Sequence, residues 1–113
     1  MNLLFVCSRN RLRSPTAEAI FSGLDGYDVL SAGTSPDAET IISTDLVEWA
    51  DIIFAMEGVH RRRLTQRFGP SLRTKRLIVL GIADEYTYMD SRLVGLLKEK
   101  VFRHLGISRP PGE

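Results

Sequence analysis

Four short apolar runs, separated by segments of helical periodicity, constrain most strongly how this chain can fold. The runs are LLFV at 3–6, YDVLSAG at 27–33, DIIFAM at 51–56 and RLIVLG at 76–81. Each run is nearly continuous in apolar residues, whereas a strand with one solvent-exposed face alternates apolar and polar positions. The runs therefore predict strands that are buried on both faces.

The segments between these runs predict helices, because apolar residues recur there at spacings of three and four. The apolar positions of the first helix are Ala17, Ile20, Phe21 and Leu24, and those of the second are Ile42, Leu46 and Trp49, with Asp37 as a candidate N-cap. The third segment is the weakly amphipathic stretch 57–68. The last helix is marked by Leu93, Leu96, Leu97, Val101 and Leu105 and ends at Gly106. Strands that alternate with helices predict an α/β three-layer sandwich around a four-stranded parallel sheet. We expect one domain at 1–107 and a flexible C-terminal tail at 108–113.

Composition excludes several classes of protein. A net charge of +1 argues against a general polyanion binder, so an anion site must be local. The chain contains 1 cysteine, which excludes an intrachain disulfide scaffold. No apolar run approaches the roughly 20 residues that span a bilayer, and LLFV is too short for a signal-peptide core. We expect a cytoplasmic protein with neither a membrane nor a nucleic acid as its partner.

The first strand is followed by a segment with the residues of an anion site. In FVCSRNRLRSPTAEAIF, Cys7 ends the predicted strand, Arg13 follows six positions later, and Ser14-Pro15 opens a helix. Ligands of parallel sheets bind beyond the carboxyl ends of the strands. Loop N–H groups and the helix N-terminus could converge there on one anion, and the fork of Arg13 matches two phosphate oxygens.

The same surroundings would favour a thiolate at Cys7, which is then a nucleophile aimed at phosphorus. Ser14 could donate a hydrogen bond to the sulfur when it becomes the leaving group. A lone cysteine at a strand end is more often a small buried apolar residue. The strand, loop, Ser-Pro and helix start together favour the catalytic interpretation.

The segment LLFVCSRNRLRSPTAEAIF resembles the active-site loop of the low-molecular-weight protein tyrosine phosphatases almost end to end. The resemblance continues in SAGTS at 31–35, WADIIFAME at 49–57 and DEYTY at 84–88, and so covers most of the chain. It implies the phosphotyrosine protein phosphatase I-like fold, which is the small parallel sandwich already predicted. It also implies hydrolysis of a phosphate monoester through a phosphocysteine.

By this resemblance Cys7 would be the nucleophile and Arg13 the phosphate clamp. Asn10, with a left-handed backbone, would hold the loop and reach Ser31. The residues expected to bind substrate are Ser8, Arg9, Asn10, Arg11, Leu12, Ser14 and Tyr86. Asp84 matches the general acid of the family in position, and as a carboxylate it would then activate water. Asp90 is the competing candidate, although it could instead cap the last helix.

Four departures from the family pattern concern the surroundings of the nucleophile and the substrate. The 34–49 connection is shorter than in typical members, in which it supplies part of the wall around the substrate ring. Arg11 lies where an apolar residue commonly contacts that ring, so it could stack on the ring or favour an acidic substrate. Glu85 replaces a proline and adds negative charge beside Asp84. Leu12 replaces a second cysteine that protects the nucleophile in many members.

We therefore expect a phosphatase that needs no metal or other cofactor. Its substrate would be a phosphorylated protein or an aryl phosphate, with phosphotyrosine as the expected group, and its loop would take up inorganic phosphate or sulfate. Two alternatives stay open: an arsenate reductase that uses an external thiol, and a non-catalytic module that binds a phosphorylated ligand. HRRR at 60–63 is interpreted as a solvated basic helix face, and His60 and His104 as surface residues without metal-ligand spacing.

Overall fold

A computed structural model describes residues 1–107, and four parallel strands form its central sheet. The strands are β1 (Asn2–Cys7), β2 (Asp28–Gly33), β3 (Ile52–Ala55) and β4 (Arg76–Val79), in the order β2-β1-β3-β4. β1 pairs with both β2 and β3, with Cys7 opposite Gly33 and Val6 opposite Ala55. The predicted strands and their parallel pairing are confirmed.

The helices cover both faces of the sheet, which confirms the three-layer sandwich. They are α1 (Arg13–Phe21), α2 (Thr44–Trp49), α3 (Gly58–Phe68) and α4 (Ser91–Leu105), with a 3₁₀ turn at Gly69–Leu72. One face of the sheet packs on α1 and α4, where Phe5 stacks between Phe21 and Phe54. The other face packs on α2 and α3 through Val47 and Leu64. β1 is buried from both sides, so its carboxyl end is a rigid mount for the loop that follows.

The caps of two helices, α4 and α2, can be compared with the caps expected from the sequence. Asp90 caps α4, since its side chain accepts a hydrogen bond from Arg92 N at 2.9 Å, and Gly106 ends that helix with φ +69°. The expected Asp37 cap of α2 is wrong. Ser43 is the cap and accepts from Leu46 N at 3.3 Å, because the helix begins only at Thr44.

The tail predicted at 108–113 lies outside the described residues. Within residues 1–107, no helix is long and apolar enough to cross a membrane.

Candidate active site

The candidate site is the loop of residues 8–12, called the 8–12 loop below, together with the residues at its two ends. Cys7 is the last residue of β1 and Arg13 the first of α1, so the loop leaves the carboxyl end of an inner strand. Cys7 is 3% exposed and lines a pocket. The residues that line this pocket are Cys7, Ser8, Arg9, Arg11, Leu12, Arg13 and Asp84.

Asn10 holds the loop from within. Its backbone is left-handed, with φ 56°, which asparagine tolerates better than most residues. Its side-chain amide donates to Ser14 Oγ and to Ser31 Oγ, both at 2.9 Å, and its carbonyl accepts from Thr40 N at 3.1 Å. The expected left-handed backbone and the contact with Ser31 are confirmed. Asn10 is 5% exposed and therefore supports the loop from beneath rather than lining the pocket.

Ser14 lies behind the sulfur of Cys7. Its Oγ is 2.9 Å from Cys7 Sγ and is completely buried. Asn10 Nδ2 donates to Ser14 Oγ, and the hydroxyl proton of Ser14 has two acceptors within reach, the sulfur of Cys7 at 2.9 Å and the carbonyl of Ala32 at 3.4 Å. The sulfur is the nearer of the two acceptors, so Ser14 can donate a hydrogen bond to Cys7.

Arg13 is buried and held in one orientation by the residues that follow β3 and β4. Its Nη1 donates to Glu57 Oε1 at 2.5 Å and to the carbonyl of Ile82 at 2.8 Å. Its side chain is 3% exposed, and its Nε lies 3.7 Å from Asp84 Oδ1. With Nη1 occupied, Nε and Nη2 are the donors left for an anion in the pocket.

Glu57 was not assigned a role by sequence analysis, although its position just after a predicted strand indicates that it lies near the carboxyl end of the sheet. It follows β3 within two residues, and β3 is the neighbour of β1, so its side chain emerges at the same edge of the sheet as Cys7. A buried arginine requires a carboxylate partner, and the carboxyl end of the adjacent strand is the place to look for one.

The two candidate acids are separated by the structure. Asp84 lines the pocket, and its side chain is 64% exposed. Asp90 does not line the pocket but pairs with Arg92 Nη2 at 3.0 Å, and hydrogen bonds from Arg92 hold the pKa of Asp90 below its usual range. Tyr86 is also outside the pocket lining: it packs against the core beneath the guanidinium of Arg92, 5.3 Å from its ring centre.

The two extra arginines of the loop each have an acidic partner. Arg9 Nε lies 3.9 Å from Asp37 Oδ2, and Arg11 Nε lies 3.3 Å from Glu39 Oε1. These side chains are all about half exposed or more, so the ion pairs are weak and a charged ligand could compete for the arginines. The segment 37–39 thus screens part of the positive charge around the pocket.

His60 is not a surface residue, and that prediction was wrong. It is 0% exposed, and its Nε2 lies 2.9 Å from Ser8 Oγ while its Nδ1 accepts from Glu57 N at 3.0 Å. Burial, together with the positive charge of Arg13, lowers its pKa to about 4. The HRRR run misled because Arg61, Arg62 and Arg63 are exposed while His60 lies on the inner side of the same helix. His104 is exposed, as predicted.

Gly33 is the second residue that sequence analysis left without a role. A Cβ at this position would lie 2.4 Å from the carbonyl oxygen of Ser8 and 3.0 Å from Asn10 N. The end of β2 can therefore approach the 8–12 loop only because residue 33 has no side chain. Thr34 N and Ser35 N then donate to the carbonyls of Cys7 and Ser8 at 3.0 and 2.9 Å.

Within residues 1–107 no cluster of His, Cys, Asp or Glu could hold a metal ion.

Known proteins resemble this chain in both sequence and fold. No protein-family model matches it. A protein-arginine-phosphatase of Bacillus subtilis is 28% identical over 96 positions, which cover 61% of this chain and 64% of that relative. The YwlE arginine phosphatase of Geobacillus stearothermophilus superposes with a TM-score of 0.73 at 21% identity, over 93% of this chain and 92% of the other.

The tyrosine phosphatase Wzb of Escherichia coli K30, in complex with phosphate, superposes with a TM-score of 0.74 at 19% identity, over 93% of this chain and 96% of the other. At these identities the superpositions establish the fold, and the curated relative adds a sequence match. This chain therefore shares its fold with solved structures named as arginine and tyrosine phosphatases, and it carries Cys7 and Arg13 at the two ends of the 8–12 loop.

Proposed function

We propose that this protein hydrolyses phosphate monoesters of protein side chains through a phosphocysteine on Cys7. The observation that carries the proposal is that Cys7, Arg13 and Asp84 line one pocket, with Arg13 Nε 3.7 Å from Asp84. A nucleophile, a fixed cation and an exposed carboxylic acid are the three groups that such a reaction requires. The reaction would take place in the cytoplasm, where a lone thiol stays reduced.

In the first step the thiolate of Cys7 attacks phosphorus, forming an S–P bond as the P–O bond to the leaving group breaks. The Nε and Nη2 donors of Arg13 and the backbone N–H groups of the 8–12 loop bind the three equatorial oxygens. Glu57 and the carbonyl of Ile82 fix the guanidinium beforehand, so little reorganisation is needed. Asp84 gives its proton to the departing oxygen.

In the second step Asp84, now a carboxylate, takes a proton from a water molecule that attacks the phosphocysteine. The S–P bond breaks, and the sulfur leaves as a thiolate that accepts a hydrogen bond from Ser14, 2.9 Å away. Inorganic phosphate is released and Asp84 is protonated again. Every proton and electron pair is accounted for by Cys7, Asp84, substrate and water.

The charges around the pocket favour an aryl or acidic phosphoryl substrate over a phosphoguanidine. Arg9, Arg11 and Arg13 all line the pocket, whereas Asp84 is the one acid of the lining residues. A cationic leaving group would be repelled by these arginines, while an aromatic ring could stack on Arg11. Phosphotyrosine is therefore the proposed substrate, and phosphoarginine is the alternative that the curated Bacillus relative suggests.

The test is hydrolysis of p-nitrophenyl phosphate, a phosphotyrosine peptide and a phosphoarginine peptide in the presence of EDTA. We expect turnover of the first two, with no turnover by Cys7→Ser. Asp84→Asn should reduce turnover of the phosphotyrosine peptide roughly 100-fold or more, since a general acid contributes about 10²–10⁴. Asp90→Asn, the matched control, should retain most of its activity.

Each alternative function predicts a different result. Faster turnover of the phosphoarginine peptide would reverse the substrate assignment. Loss of activity in Asp90→Asn but not in Asp84→Asn would reverse the assignment of the acid. Arsenate reduction coupled to an external thiol, without ester hydrolysis, would favour the reductase. Tight binding of the phosphopeptide by wild type and Cys7→Ser, with hydrolysis by neither, would indicate a binding module.

A further inference from the structure

The pocket is lined by a serine beside Cys7 that the proposed mechanism does not use. Ser8 follows the nucleophile directly, lines the pocket and is partly buried. Its backbone is fixed, because its carbonyl accepts from Ser35 N at 2.9 Å. Its side chain is fixed as well, because Oγ lies 2.9 Å from Nε2 of the buried His60.

The protonation of His60 follows from its other ring nitrogen. Glu57 N donates to Nδ1 at 3.0 Å, and a backbone N–H cannot accept, so Nδ1 carries no proton. A neutral imidazole then carries its proton on Nε2, and burial keeps the ring neutral at physiological pH. The Nε2–H group therefore donates to Ser8 Oγ, and not the reverse.

This direction leaves the hydroxyl proton of Ser8 without an acceptor among the hydrogen bonds of residues 1–107, beside a pocket built for an anion. We propose that Ser8 donates a hydrogen bond to a phosphoryl oxygen of the substrate and of inorganic phosphate, and that His60 is a positioning residue that sets the direction of this donor. The inference rests on the proposed function and adds a side-chain donor to the backbone N–H groups of the loop.

The arrangement repeats the one at Ser14 on the other side of the sulfur. There Asn10 Nδ2 donates to the hydroxyl oxygen, and the hydroxyl proton can be donated to Cys7 Sγ, which is nearer than its other acceptor, the carbonyl of Ala32. At Ser8 the donor is His60 Nε2, and the hydroxyl proton is directed into the pocket. Two serines at the ends of the same loop are thus oriented by buried donors, one toward the nucleophile and one toward the group that it attacks.

The experiment measures phosphate affinity without requiring turnover. Alkylation of Cys7 by iodoacetamide is followed at increasing inorganic phosphate, and the protection curve gives the Kd of phosphate. Ser8→Ala should raise this Kd, and lower kcat/KM for p-nitrophenyl phosphate, roughly tenfold, as expected for one hydrogen bond to a charged group. Ser8→Thr, which keeps the hydroxyl, should restore most of the affinity, and the exposed control Ser22→Ala should match wild type.

His60 is tested through its coupling to Ser8. His60→Ala should weaken phosphate binding in the wild-type background. In the Ser8→Ala background it should cause almost no further rise in the Kd of phosphate, because the donor that His60 positions is already absent. If His60 is merely structural, His60→Ala will raise the Kd of phosphate by the same factor in both backgrounds, and that result would overturn the positioning role. A Kd for Ser8→Ala within about twofold of wild type would overturn the donor role, since a lost charged hydrogen bond costs more.

If the protein proves to have no phosphatase activity, phosphate protection still reports on Ser8. Protection that Ser8→Ala weakens tenfold would then support the donor while the proposed reaction fails. Turnover in wild type with unchanged protection in Ser8→Ala would support the reaction while the donor fails. The two proposals can therefore be lost independently of each other.

Discussion

The 8–12 loop and the loop of residues 83–90 meet at the same pocket, but the first is interlocked with the fold and the second lies largely in solvent. Asn10, Ser14 and the carbonyl of Ser8 all have partners on other elements. The 83–90 loop is held by fewer contacts: Asp84 to Arg13, Tyr86 against the core, Met89 N to Thr16 Oγ1 at 3.0 Å, and the cap that Asp90 makes.

This difference corresponds to two demands of the proposed chemistry. Phosphate must meet donors that are already oriented, because reorganising them would add to the barrier. The acid must reach leaving groups of different shape and exchange protons with water, so exposure suits it. Changes near the 8–12 loop should therefore alter stability and activity together, whereas changes in the 83–90 loop should separate the two.

The largest effect is expected for Gly33→Ala. The new Cβ would lie 2.4 Å from the carbonyl oxygen of Ser8, which is backbone and cannot rotate away. We expect a loss of about 3 kcal/mol in the free energy of unfolding and a fall in kcat/KM of roughly 100-fold. Denaturant unfolding and steady-state kinetics measure the two effects.

The control for Gly33→Ala is Gly95→Ala, in the exposed middle of α4, where a Cβ meets nothing within 4 Å. Alanine there should stabilise the protein by about 0.5–1 kcal/mol and leave catalysis unchanged. Full activity in Gly33→Ala would show that the end of β2 does not constrain the loop.

A second large effect is expected from acid. The pKa of His60 falls to about 4 in the folded protein, against about 6.5 when unfolded, so the unfolded state binds more protons between these values. The stability that neutral His60 supports is complete above pH 6.5 and is lost as the pH falls toward 4. At pH 5 the loss should be about 2 kcal/mol relative to pH 7.5.

Denaturant unfolding at both pH values measures this loss. His60→Gln should abolish about 2 kcal/mol of the difference in stability between pH 7.5 and pH 5, because a glutamine side chain binds no proton in this range. An equal loss in wild type and in His60→Gln would assign the acid sensitivity to other groups.

The fold could be predicted from sequence because its main signals are local. Apolar runs and helical periodicity located all four strands and placed Cys7 and Arg13 at the ends of one loop. The order of the strands in the sheet could not be predicted from these local signals. The role of Glu57 was missed for the same reason, because its carboxylate meets Arg13 only where β3 lies beside β1. Ion pairs between residues 44 positions apart leave no periodic signal.

His60 and Gly33 were missed for physical reasons of a different kind. Three arginines follow His60, and charge runs usually mark solvated faces, but a helix turns about 100° per residue and carried the imidazole inward. Gly33 ends a strand, where glycine often needs no explanation. Its role appears only when the distance to the carbonyl of Ser8 is measured.

A smaller effect, confined to stability, is expected in the 83–90 loop for Asp90→Ala. The side chain accepts from Arg92 N at 2.9 Å and caps α4, so its loss should lower Tm by roughly 4 to 8 °C. Activity should change little because Asp90 does not line the pocket. Thermal unfolding and steady-state kinetics separate this variant from Asp84→Asn, which should lose activity with little change in Tm. A large loss of kcat in Asp90→Ala would show that Asp90 contributes to catalysis as well as capping α4.

The smallest effect is expected for Met89→Gly, at an exposed position where the backbone is left-handed with φ 61°. Methionine is strained in this region and glycine is not, but glycine also gains entropy in the unfolded chain, so Met89→Gly should stabilise by less than about 1 kcal/mol. Met89→Val should destabilise by about 1–2 kcal/mol, since a branched side chain is more strained there.

Activity in both Met89 variants should stay near that of wild type, because the contact with Thr16 is made by the backbone N–H, which every substitution except proline retains. Denaturant unfolding and steady-state kinetics of the pair test this directly. If Met89→Gly loses activity while gaining stability, the strained backbone itself positions Asp84, and the 83–90 loop is then more like the 8–12 loop than its exposure indicates.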